Sequence, residues 1–335
     1  MYLKNNTYLD VPCLSAIIFC LTILLFSYSC KMEKIAVSWE KMTTPAQDNQ
    51  PLRSIWFKNT DTAYAVGGDQ YLKKYMLMTS DGGQTWYQWP FSGHEKGLYG
   101  LIGTSQKMYL GNYDGQIYSS ADQWQTWDMQ QTGRPDIGWV PVRRICFSDD
   151  AHGVSVGGYG SGYGLINTTS DGGLSWQSKI PAVELRSVCC ASAAIYFACG
   201  YGVVIRSTDN GDTWETLPAD GDFFMDICFP NAQVGFVVGY QGKIMKTING
   251  GQSWQTLRKG SDWVSARPHF NGVWFKNENT GWIVGNKLVW QTNDGGQSWQ
   301  AVEGLDFSDF YGLTYIDGQV FIVGENNTVV RLSVE

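Results

Sequence analysis

Residues 79–86 read TSDGGQTW, and close copies of this octapeptide recur along the whole chain. The copies are TSDGGLSW from Thr169, STDNGDTW from Ser207, TINGGQSW from Thr247, TNDGGQSW from Thr292 and a degenerate SADQWQTW from Ser120. The third residues of the six boxes are Asp81, Asp122, Asp171, Asp209, Asn249 and Asp294. Their spacing of 38 to 49 residues is typical of a β-propeller in which each repeat forms one four-stranded blade.

The composition of the box indicates a tight turn rather than a catalytic site. An Asp or Asn side chain accepts backbone N–H bonds inside a turn, and glycine supplies positive φ angles. The Trp that ends each box is suited to packing between neighbouring blades. We therefore interpret the six residues at the third position as structural. The degenerate box has Trp124 where the others have glycine, and this predicts a strained or reshaped turn.

The segments between the boxes repeat one order of short apolar runs. The first run is represented by RSIWF (53–57) and RRICF (143–147), and the second ends in glycine, as in AYAVG (63–67) and GWIVG (281–285). A third run leads into the box, and the box Trp begins a fourth. Alternating short strands with turn residues between them predict an all-β fold.

The number of blades follows from both ends of the chain. Six boxes predict six blades, and three further strands follow the last box. The fourth strand of this last blade is missing at the C-terminus, but AVSWEKM (36–42) resembles GDTWETL (211–217), which is a fourth strand. The sequence thus predicts a seven-bladed β-propeller over residues 36–335, with the seventh blade closed by the N-terminal strand. Closure of this kind ties the two ends of the ring together.

Composition restricts the partners of this chain. The formal net charge is −7 over 335 residues, and no Lys/Arg run is present, so we expect no nucleic-acid partner. No CxxC or other metal-ligand spacing occurs, and we expect no metal and no cofactor. Cys146, Cys189 and Cys228 occupy one position in successive repeats. They suit a redox or metal ring, or small buried apolar residues, and the second interpretation is favoured. We expect a monomer.

The first 30 residues differ from the rest of the chain. An apolar run from Cys13 to Cys30 follows Lys4, as in a secretory signal peptide. The run ends in SYSC (27–30), which resembles a bacterial lipobox with Cys30 as the acylated residue. We predict a lipoprotein signal peptide over 1–29, a short tether over 30–35, and a membrane-anchored protein of the bacterial cell envelope facing the periplasm or the cell surface.

The rim at which the inner strands start is the candidate binding surface, since loops on a rigid scaffold often carry function. Arginine and tyrosine side chains in a concave ring suit a carboxylate, a sugar or an acidic peptide. The candidate binding residues are Arg53, Tyr99, Arg143, Arg144, Arg186, Tyr201, Tyr240, Asn271 and Tyr311. Links between the blades add Trp139, Trp263, Arg267 and His269 to the same rim. The alternative is that these arginines only pair with nearby acids such as Asp220, Asp222 or Asp226.

The order RSIWF, AYAVG, TSDGGQTW, repeated with GFVVG and GWIVG, resembles the photosystem II stability/assembly factor-like family of seven-bladed Asp-box propellers over residues 36–335. This resemblance implies an assembly factor that holds membrane-protein intermediates through a basic patch. Arg53, Arg143, Arg144 and Arg186 are the matching positions. The acidic net charge and the predicted lipid anchor depart from a thylakoid factor. A non-enzymatic binding module is the function that we expect.

The sequence is compatible with two other functions. In a sialidase-like glycoside hydrolase, Arg53, Arg143 or Arg186 would bind a substrate carboxylate, with Tyr311 as nucleophile and Asp309 as its partner. The Arg-Ile-Pro signature of sialidases is absent, because the chain reads Arg53-Ser54-Ile55. The other function is binding of a cell-surface glycan on the aromatic rim.

Lipid anchoring is tested by the substitution Cys30→Ser. Because the thioether that carries the diacylglycerol requires the thiol, we expect complete loss of metabolic labelling with a radioactive fatty acid and release of the protein from the membrane fraction. Cys20→Ser, in the same apolar run, is the matched control and should remain labelled. Labelling that persists in Cys30→Ser would contradict the prediction.

Overall fold

The computed structural model of the chain describes residues 32–45, 49–69, 71, 73–92, 96–132, 140–219, 221–260 and 268–334. These residues form β-strands and turns, and none of them lies in a helix. No helix within the described ranges is therefore long and apolar enough to cross a membrane. Cys30, the predicted acylation site, lies outside the described residues.

Seven separate sheets account for the strands, and this confirms the predicted all-β, seven-bladed β-propeller. The two N-terminal strands are β1 (Lys34–Ile35) and β2 (Trp39–Lys41). Blade one contains β3 (Leu52–Phe57), β4 (Ala63–Gly67), β5 (Tyr75–Thr79) and β6 (Tyr87–Gln88). Blade two contains β7 (Leu98–Gly103), β8 (Met108–Asn112), β9 (Gln116–Ser120) and β10 (Asp128–Gln131). Blade three contains β11 (Val142–Phe147), β12 (Gly153–Gly158), β13 (Gly164–Thr169) and β14 (Gln177–Lys179).

The remaining blades follow the same order along the chain. Blade four contains β15 (Leu185–Ser192), β16 (Ile195–Gly200), β17 (Val204–Ser207) and β18 (Glu215–Thr216). Blade five contains β19 (Phe224–Cys228), β20 (Gly235–Gly239), β21 (Ile244–Thr247) and β22 (Gln255–Arg258). Blade six contains β23 (Phe270–Phe275), β24 (Gly281–Gly285), β25 (Leu288–Thr292) and β26 (Gln300–Val302). Blade seven contains β27 (Phe310–Ile316), β28 (Gln319–Gly324) and β29 (Val329–Ser333).

The N-terminal strand β2 is the outer strand of blade seven. It pairs antiparallel with β29, with Trp39 opposite Leu332 and Lys41 opposite Val330. The indole N–H of Trp39 donates to the carbonyl of Glu303 at 2.9 Å. The sheet order β2–β29–β28–β27 joins the two ends of the chain, so that hydrogen bonds rather than a covalent link hold the ring closed.

The structure differs in part from the tether predicted over residues 30–35. Lys34 and Ile35 form β1, which runs parallel to β26 and makes a fifth strand on blade six. The carbonyls of Glu33 and Ile35 accept the N–H groups of Ala301 and Glu303 at 2.9 and 3.0 Å. The short outer strand β26 leaves free hydrogen-bonding groups on its edge, and the incoming chain satisfies them.

The hydrophobic core is divided among the gaps between blades. Seven clusters of buried residues occur in the described chain, each formed by two neighbouring blades. Aromatic rings stack across several gaps: Phe197 on Phe229 with centroids 3.6 Å apart, and Phe236 on Phe275 at 3.5 Å. Each sheet consists of the strands of one blade, with β1 or β2 added in blades six and seven, and side-chain packing in the gaps holds neighbouring blades together.

Every inner strand contains a β-bulge near its start. The pairing between the first and second strands skips one residue, or two in blade two, so that Leu52 pairs with Gly67 but Ser54 pairs with Val66. The same shift occurs in blades two to seven. A bulge turns a side chain away from its regular direction, and here it directs one residue of each blade toward the central axis.

The glycine at or near the end of the second strand has a steric reason in five blades. A Cβ on Gly67 would lie 1.9 Å from the carbonyl oxygen of Pro51, and one on Gly285 would lie 1.9 Å from that of His269. In five blades this oxygen belongs to the residue just before the inner strand, and the separation is 1.7 to 2.2 Å for Gly67, Gly157, Gly200, Gly285 and Gly324. The bulge places the carbonyl before the inner strand where a Cβ of the second-strand residue would lie. Only glycine, which has no Cβ, fits at that position.

Each of the six boxes forms the same kind of hydrogen-bonded turn. In the first box, Asp81 accepts the Thr79 hydroxyl at 2.7 Å and the Thr85 hydroxyl and N–H at 2.5 and 3.0 Å. The Thr79 oxygen accepts the N–H of Gly83 at 3.0 Å. Equivalent bonds occur in the boxes of Asp122, Asp171, Asp209, Asn249 and Asp294. These bonds close the turn between the third and fourth strands.

The degenerate box keeps this turn at the expense of backbone strain. Trp124 has φ 64° and Gln123 has φ 62°, a region that costs a residue with a side chain about 1–2 kcal/mol. The Trp124 N–H still donates to the Ser120 hydroxyl at 2.8 Å. The indole is only 1% exposed, in the cluster between blades one and two, so burial of the large ring offsets the strain.

The steric role of the strand-end glycine is tested by Gly285→Ala. The new Cβ cannot be accommodated beside the His269 carbonyl without moving the bulge, so we expect unfolding to become easier by about 3 kcal/mol or more. Gly202→Ala is the matched control, because its φ is +71° and no atom lies within 4 Å of the new Cβ. It should cost only about 1 kcal/mol. Equal losses in a chemical denaturation experiment would contradict this explanation.

The box turns also predict an acid dependence of stability. Hydrogen bonds from the Thr213 hydroxyl and N–H lower the pKa of Asp209 to about 2. Because the unfolded chain titrates near ~3.9, this contribution is complete above that pH and is lost as the pH falls toward 2. Asn249 shows that an amide fits the same turn. We expect Asp209→Asn to be destabilising by about 1 kcal/mol at pH 7, and this difference in stability to narrow as the pH falls below about 4 and to close only below about pH 2. A difference that is independent of pH would refute this assignment.

Candidate functional site

The bulge residues of the seven blades meet around one central cavity. The ring consists of Arg53, Tyr99, Arg143, Arg186, Met225, Asn271 and Tyr311, and all seven line the cavity together with Arg144, Ser187 and Asp226. Its volume is about 170 Å³. The seven-fold repetition of the bulge therefore places one side chain from each blade at the same height on the axis.

Below this ring, a buried carboxylate connects four blades. Asp226 Oδ1 accepts the Ser187 hydroxyl at 2.5 Å, and its Oδ2 accepts the N–H of Val273 at 2.9 Å. The N–H of Ile227 donates to Oδ1 at 3.1 Å. A guanidinium nitrogen of Arg144 lies 3.4 Å from the same oxygen. Asp226 is 3% exposed, and these contacts from blades three to six hold the floor of the cavity.

Two further arginines share one carboxylate at the side of the cavity. A terminal guanidinium nitrogen of Arg143 lies 3.4 Å from Glu184 Oε1, and Arg186 Nε lies 2.7 Å from the same oxygen. The geometry of the Arg186 contact does not satisfy a hydrogen bond, so the Nε–H groups of both Arg143 and Arg186 are buried donors without an acceptor among the described residues. Glu184 Oε2 accepts the N–H of Gly160 at 2.8 Å. One carboxylate is thus divided between two cations.

Arg53 has no ion-pair partner among the described residues. Its guanidinium lies 5.1 Å from the ring centre of Tyr99 and 5.5 Å from that of Tyr311. Its Nε is buried and has no hydrogen-bond partner in the described chain. Cation–π contacts hold the Arg53 side chain in place but leave its hydrogen-bond donors available to a ligand.

The four arginines form a local excess of positive charge in an acidic protein. Arg143 and Arg186 are in ionic contact with Glu184, and Arg144 is in ionic contact with Asp226. Arg53 adds a fourth positive charge to the same cavity. Burial lowers the pKa of Arg186 to about 10, and repulsion from Arg143 contributes further. An anion that enters the cavity would stabilise the protonated, charged form of Arg186.

Tyr311 and Glu325 form a hydrogen-bonded pair at the edge of the cavity. The Tyr311 hydroxyl donates to Glu325 Oε1, and burial and this carboxylate raise the pKa of Tyr311 above its usual range. The hydrolase alternative grouped Tyr311 with Asp309. The structure gives the Tyr311 hydroxyl a hydrogen bond to Glu325, on the turn after β28, while the charge of Asp309 contributes to the raised pKa of Tyr311.

The structure separates the predicted rim residues into two groups. Seven of the nine line the central cavity: Arg53, Tyr99, Arg143, Arg144, Arg186, Asn271 and Tyr311. Tyr201 and Tyr240 do not line it, since they lie on the outer turns of blades four and five and are 51% and 44% exposed. Trp139, Trp263, Arg267 and Asp220 lie outside the described residues.

Sequence reasoning missed several residues of the site. Met225 belongs to the ring because it occupies the bulge of blade five, and alignment of FFMDICF with the other inner strands carried that signal. Ser187 and Glu184 were not considered. Asp226 had been proposed only as a partner of arginine, which it is for Arg144. Asp222 instead accepts N–H groups of Gln241 and Lys243 at 3.0 and 3.2 Å.

The repeated cysteines have a structural explanation. Cys146 Sγ accepts the N–H of Cys190 at 3.0 Å, and Cys228 Sγ accepts that of Phe275 at 3.4 Å. Each bond joins the inner strand of one blade to that of the next. Burial raises the pKa of Cys228 to about 12, so this thiol stays protonated at neutral pH.

The boxes and the cavity lie at opposite ends of the strands. In blade one, Leu52 at the start of β3 pairs with Gly67, whereas Phe57 at its end pairs with Ala63, which pairs with Thr79 of the first box. Antiparallel pairing repeats this arrangement in the other blades. The box residues therefore do not contribute to the cavity.

These features define the class of this protein: it is a seven-bladed β-propeller whose central cavity, which we call the funnel, is lined by arginine and tyrosine side chains. Residues 217–309 match the family model described as photosynthesis system II assembly factor YCF48. This segment covers blades five and six. The predicted resemblance to the photosystem II assembly factor-like propellers is thereby confirmed.

Solved structures of similar fold include two of that factor. YCF48 bound to D1 peptide matches with TM-score 0.71 and 18% identity over 91% of this chain and 98% of the other. YCF48 from Cyanidioschyzon merolae matches with TM-score 0.67 and 15% identity over 88% and 98%. Virginiamycin B lyase from Staphylococcus aureus matches with TM-score 0.72 and 11% identity over 89% and 99%. At these identities the likeness shows the fold. A search of curated proteins finds no significant match to the sequence.

Proposed function

We propose that this chain is a non-enzymatic binding module of the assembly-factor type, which docks a protein or another anionic partner on the funnel of arginine and tyrosine side chains. The observation that supports it most strongly is the convergence of four arginines on one cavity, where only three of them pair with the two carboxylates Glu184 and Asp226. A concave surface with walls of low dielectric constant concentrates this positive potential. An anionic group of a partner would find several charge-assisted donors at once.

The size of the cavity supports a macromolecular partner. Pockets for drug-sized ligands usually have volumes of about 300–1,000 Å³, whereas this cavity has about 170 Å³. It accommodates a single side chain better than a whole small molecule. The solved structure of YCF48 bound to D1 peptide is consistent with a propeller of this fold that binds a polypeptide.

The place of action is part of the same proposal. A lipid on Cys30 would hold the propeller at a membrane of the bacterial cell envelope, outside the cytoplasm. The propeller begins within a few residues of this site, so an anchored molecule would meet membrane-protein partners at short range. The test of this part is the Cys30→Ser substitution described above.

A second candidate, a sialidase-like glycoside hydrolase, is favoured by one contact. The Tyr311 hydroxyl donates to Glu325 in a cavity that also contains Arg53, which is the chemistry of a tyrosine nucleophile with a carboxylate base. The raised pKa of Tyr311 opposes its ionisation, and the small cavity opposes binding of a whole sugar. We therefore place this function second.

The substitution Arg53→Gln tests the binding function. It removes a charge that has no ion-pair partner among the described residues, so we expect the melting temperature to change little. Capture of the partner from detergent-solubilised membranes should fall by at least tenfold, and the remaining binding should weaken with salt as screening increases. Arg206→Gln is the matched control, because Arg206 pairs with Glu215 on the outer strands; it should leave capture intact.

Two results would contradict the proposed function. Capture that survives in Arg53→Gln as well as in the control would exclude the funnel as the docking site. Turnover of a fluorogenic sialoside or another glycoside by the wild-type protein, lost in Tyr311→Phe, would replace the binding function with the hydrolase.

A further inference from the structure

Aromatic rings extend from the central cavity along blades one and two. The ring centre of Tyr99, which packs under Arg53 and Arg143, lies 6.3 Å from that of Tyr113. Tyr113 in turn lies 5.3 Å from Tyr71, with the two rings inclined by 71°. Tyr71 and Tyr113 occupy the turns between the second and third strands of their blades. They form the first arm of what we call the aromatic track.

A second arm leaves the cavity along blades four and five. The guanidinium of Arg186 lies 4.7 Å from the ring centre of Phe223, and Phe223 lies 5.4 Å from Tyr201. A backbone bridge also joins Tyr201 to Phe223. The aromatic track is therefore the set Tyr71, Tyr113, Tyr99, Phe223 and Tyr201, with the arginines of the cavity at its middle.

The two arms lie on nearly opposite sides of the funnel. Blades four and five are three blade positions away from blades one and two, which corresponds to roughly 150° around a seven-bladed ring. A molecule that touches both arms must cross directly over the arginine cavity. An extended chain does this more readily than a compact ligand.

Both ends of the aromatic track are exposed to solvent. Tyr71 is 55% exposed and Tyr201 is 51% exposed, although each ring has an aromatic neighbour. Tyrosine is enriched at protein interfaces because it buries a large ring and still offers a hydroxyl. Exposed rings on both sides of a charged cavity suit a partner that supplies apolar side chains on both sides of an anion.

The chemistry of the cavity selects a carboxylate for the central position. Arginine offers only donors, and the Glu184 and Asp226 carboxylates are already occupied by arginines and backbone or hydroxyl donors. A sugar hydroxyl needs acceptors as well as donors, whereas a carboxylate only accepts. Arg53 lines the cavity and has no ion-pair partner among the described residues, so its guanidinium is the donor group that an entering carboxylate would meet.

We propose that the aromatic track binds an extended acidic peptide segment, with one Asp or Glu side chain in the arginine cavity and aromatic or proline side chains packed on the two arms. This inference rests on the proposed function and names its partner. In an extended chain, alternate side chains face the same side about 6.6 Å apart. The ring spacings of 5.3 to 6.3 Å match this repeat, so the packed side chains belong two and four residues from the acid.

The experiment is a selection from random phage-displayed peptides of about eleven residues, long enough to cross both arms at ~3.3 Å per residue. Four proteins serve as bait: the wild type, Arg53→Gln, the double variant Tyr71→Ala with Tyr201→Ala, and Tyr87→Ala. Tyr87 is a matched control, because it is 40% exposed but lies on the outer strand of blade one. Tyr71 and Tyr201 are surface residues, so their replacement should leave the melting temperature unchanged.

With the wild type and Tyr87→Ala, we expect enrichment of an acidic residue with aromatic residues or proline two and four positions away on both sides. The double tyrosine variant should keep the preference for the acid but bind the selected peptides about tenfold more weakly, as expected for two aromatic contacts. Arg53→Gln should lose the preference for the acid. Replacement of the peptide acid by its amide should have the same effect as Arg53→Gln.

Each of the other outcomes would contradict a specific part of the proposal. Peptides with an acid but no aromatic preference, bound equally by the double tyrosine variant, would overturn the aromatic track and leave the proposed function standing. Failure of the wild type to select acidic peptides would overturn both. Binding of sialylated oligosaccharides on a glycan array, in the absence of peptide selection, would assign the funnel to a glycan instead.

Discussion

In five of the seven blades, the carbonyl oxygen just before the inner strand packs against a glycine of the second strand, and this contact controls the rest of the structure. The bulge pushes the backbone before the inner strand against the end of the second strand, and glycine gives it room, as at Gly67 and Gly285. Because the bulge recurs in all seven blades, it directs seven side chains to one point on the axis. The scaffold and the site thus have a common physical origin.

Stability and function are separated along the strands. The box turns close one end of each blade with hydrogen bonds to Asp or Asn, and the aromatic packing between blades holds the ring together. The other end collects arginines that the fold itself satisfies only in part. Two carboxylates, Glu184 and Asp226, stabilise three of them, and Arg53 depends on aromatic rings alone. The arrangement is stable enough to persist and still has donors for a partner.

Much of the fold could be predicted because residues close together in the chain define the repeat. Turn residues, apolar alternation and a period near 40 residues are all short-range signals. Much of the site followed from the same repeat, since position within an inner strand predicts position on the rim. The prediction was least accurate for contacts between side chains of different strands and links: Tyr311 bonds to Glu325, which follows the second strand of the same blade, and the role of Glu184 was not anticipated.

The sequence by itself determined the blade, the number of blades and the rim on which the arginines lie, because each of these depends on residues close together in the chain. Only the tertiary structure decided which arginines are neutralised, since Arg144 and Asp226 are 82 positions apart in the chain and no local pattern encodes that distance. It also decided that Tyr201 and Tyr240 lie outside the cavity while Met225 lies within it. A bulge shifts side-chain direction by one residue, and its consequence becomes visible only when seven blades close around an axis.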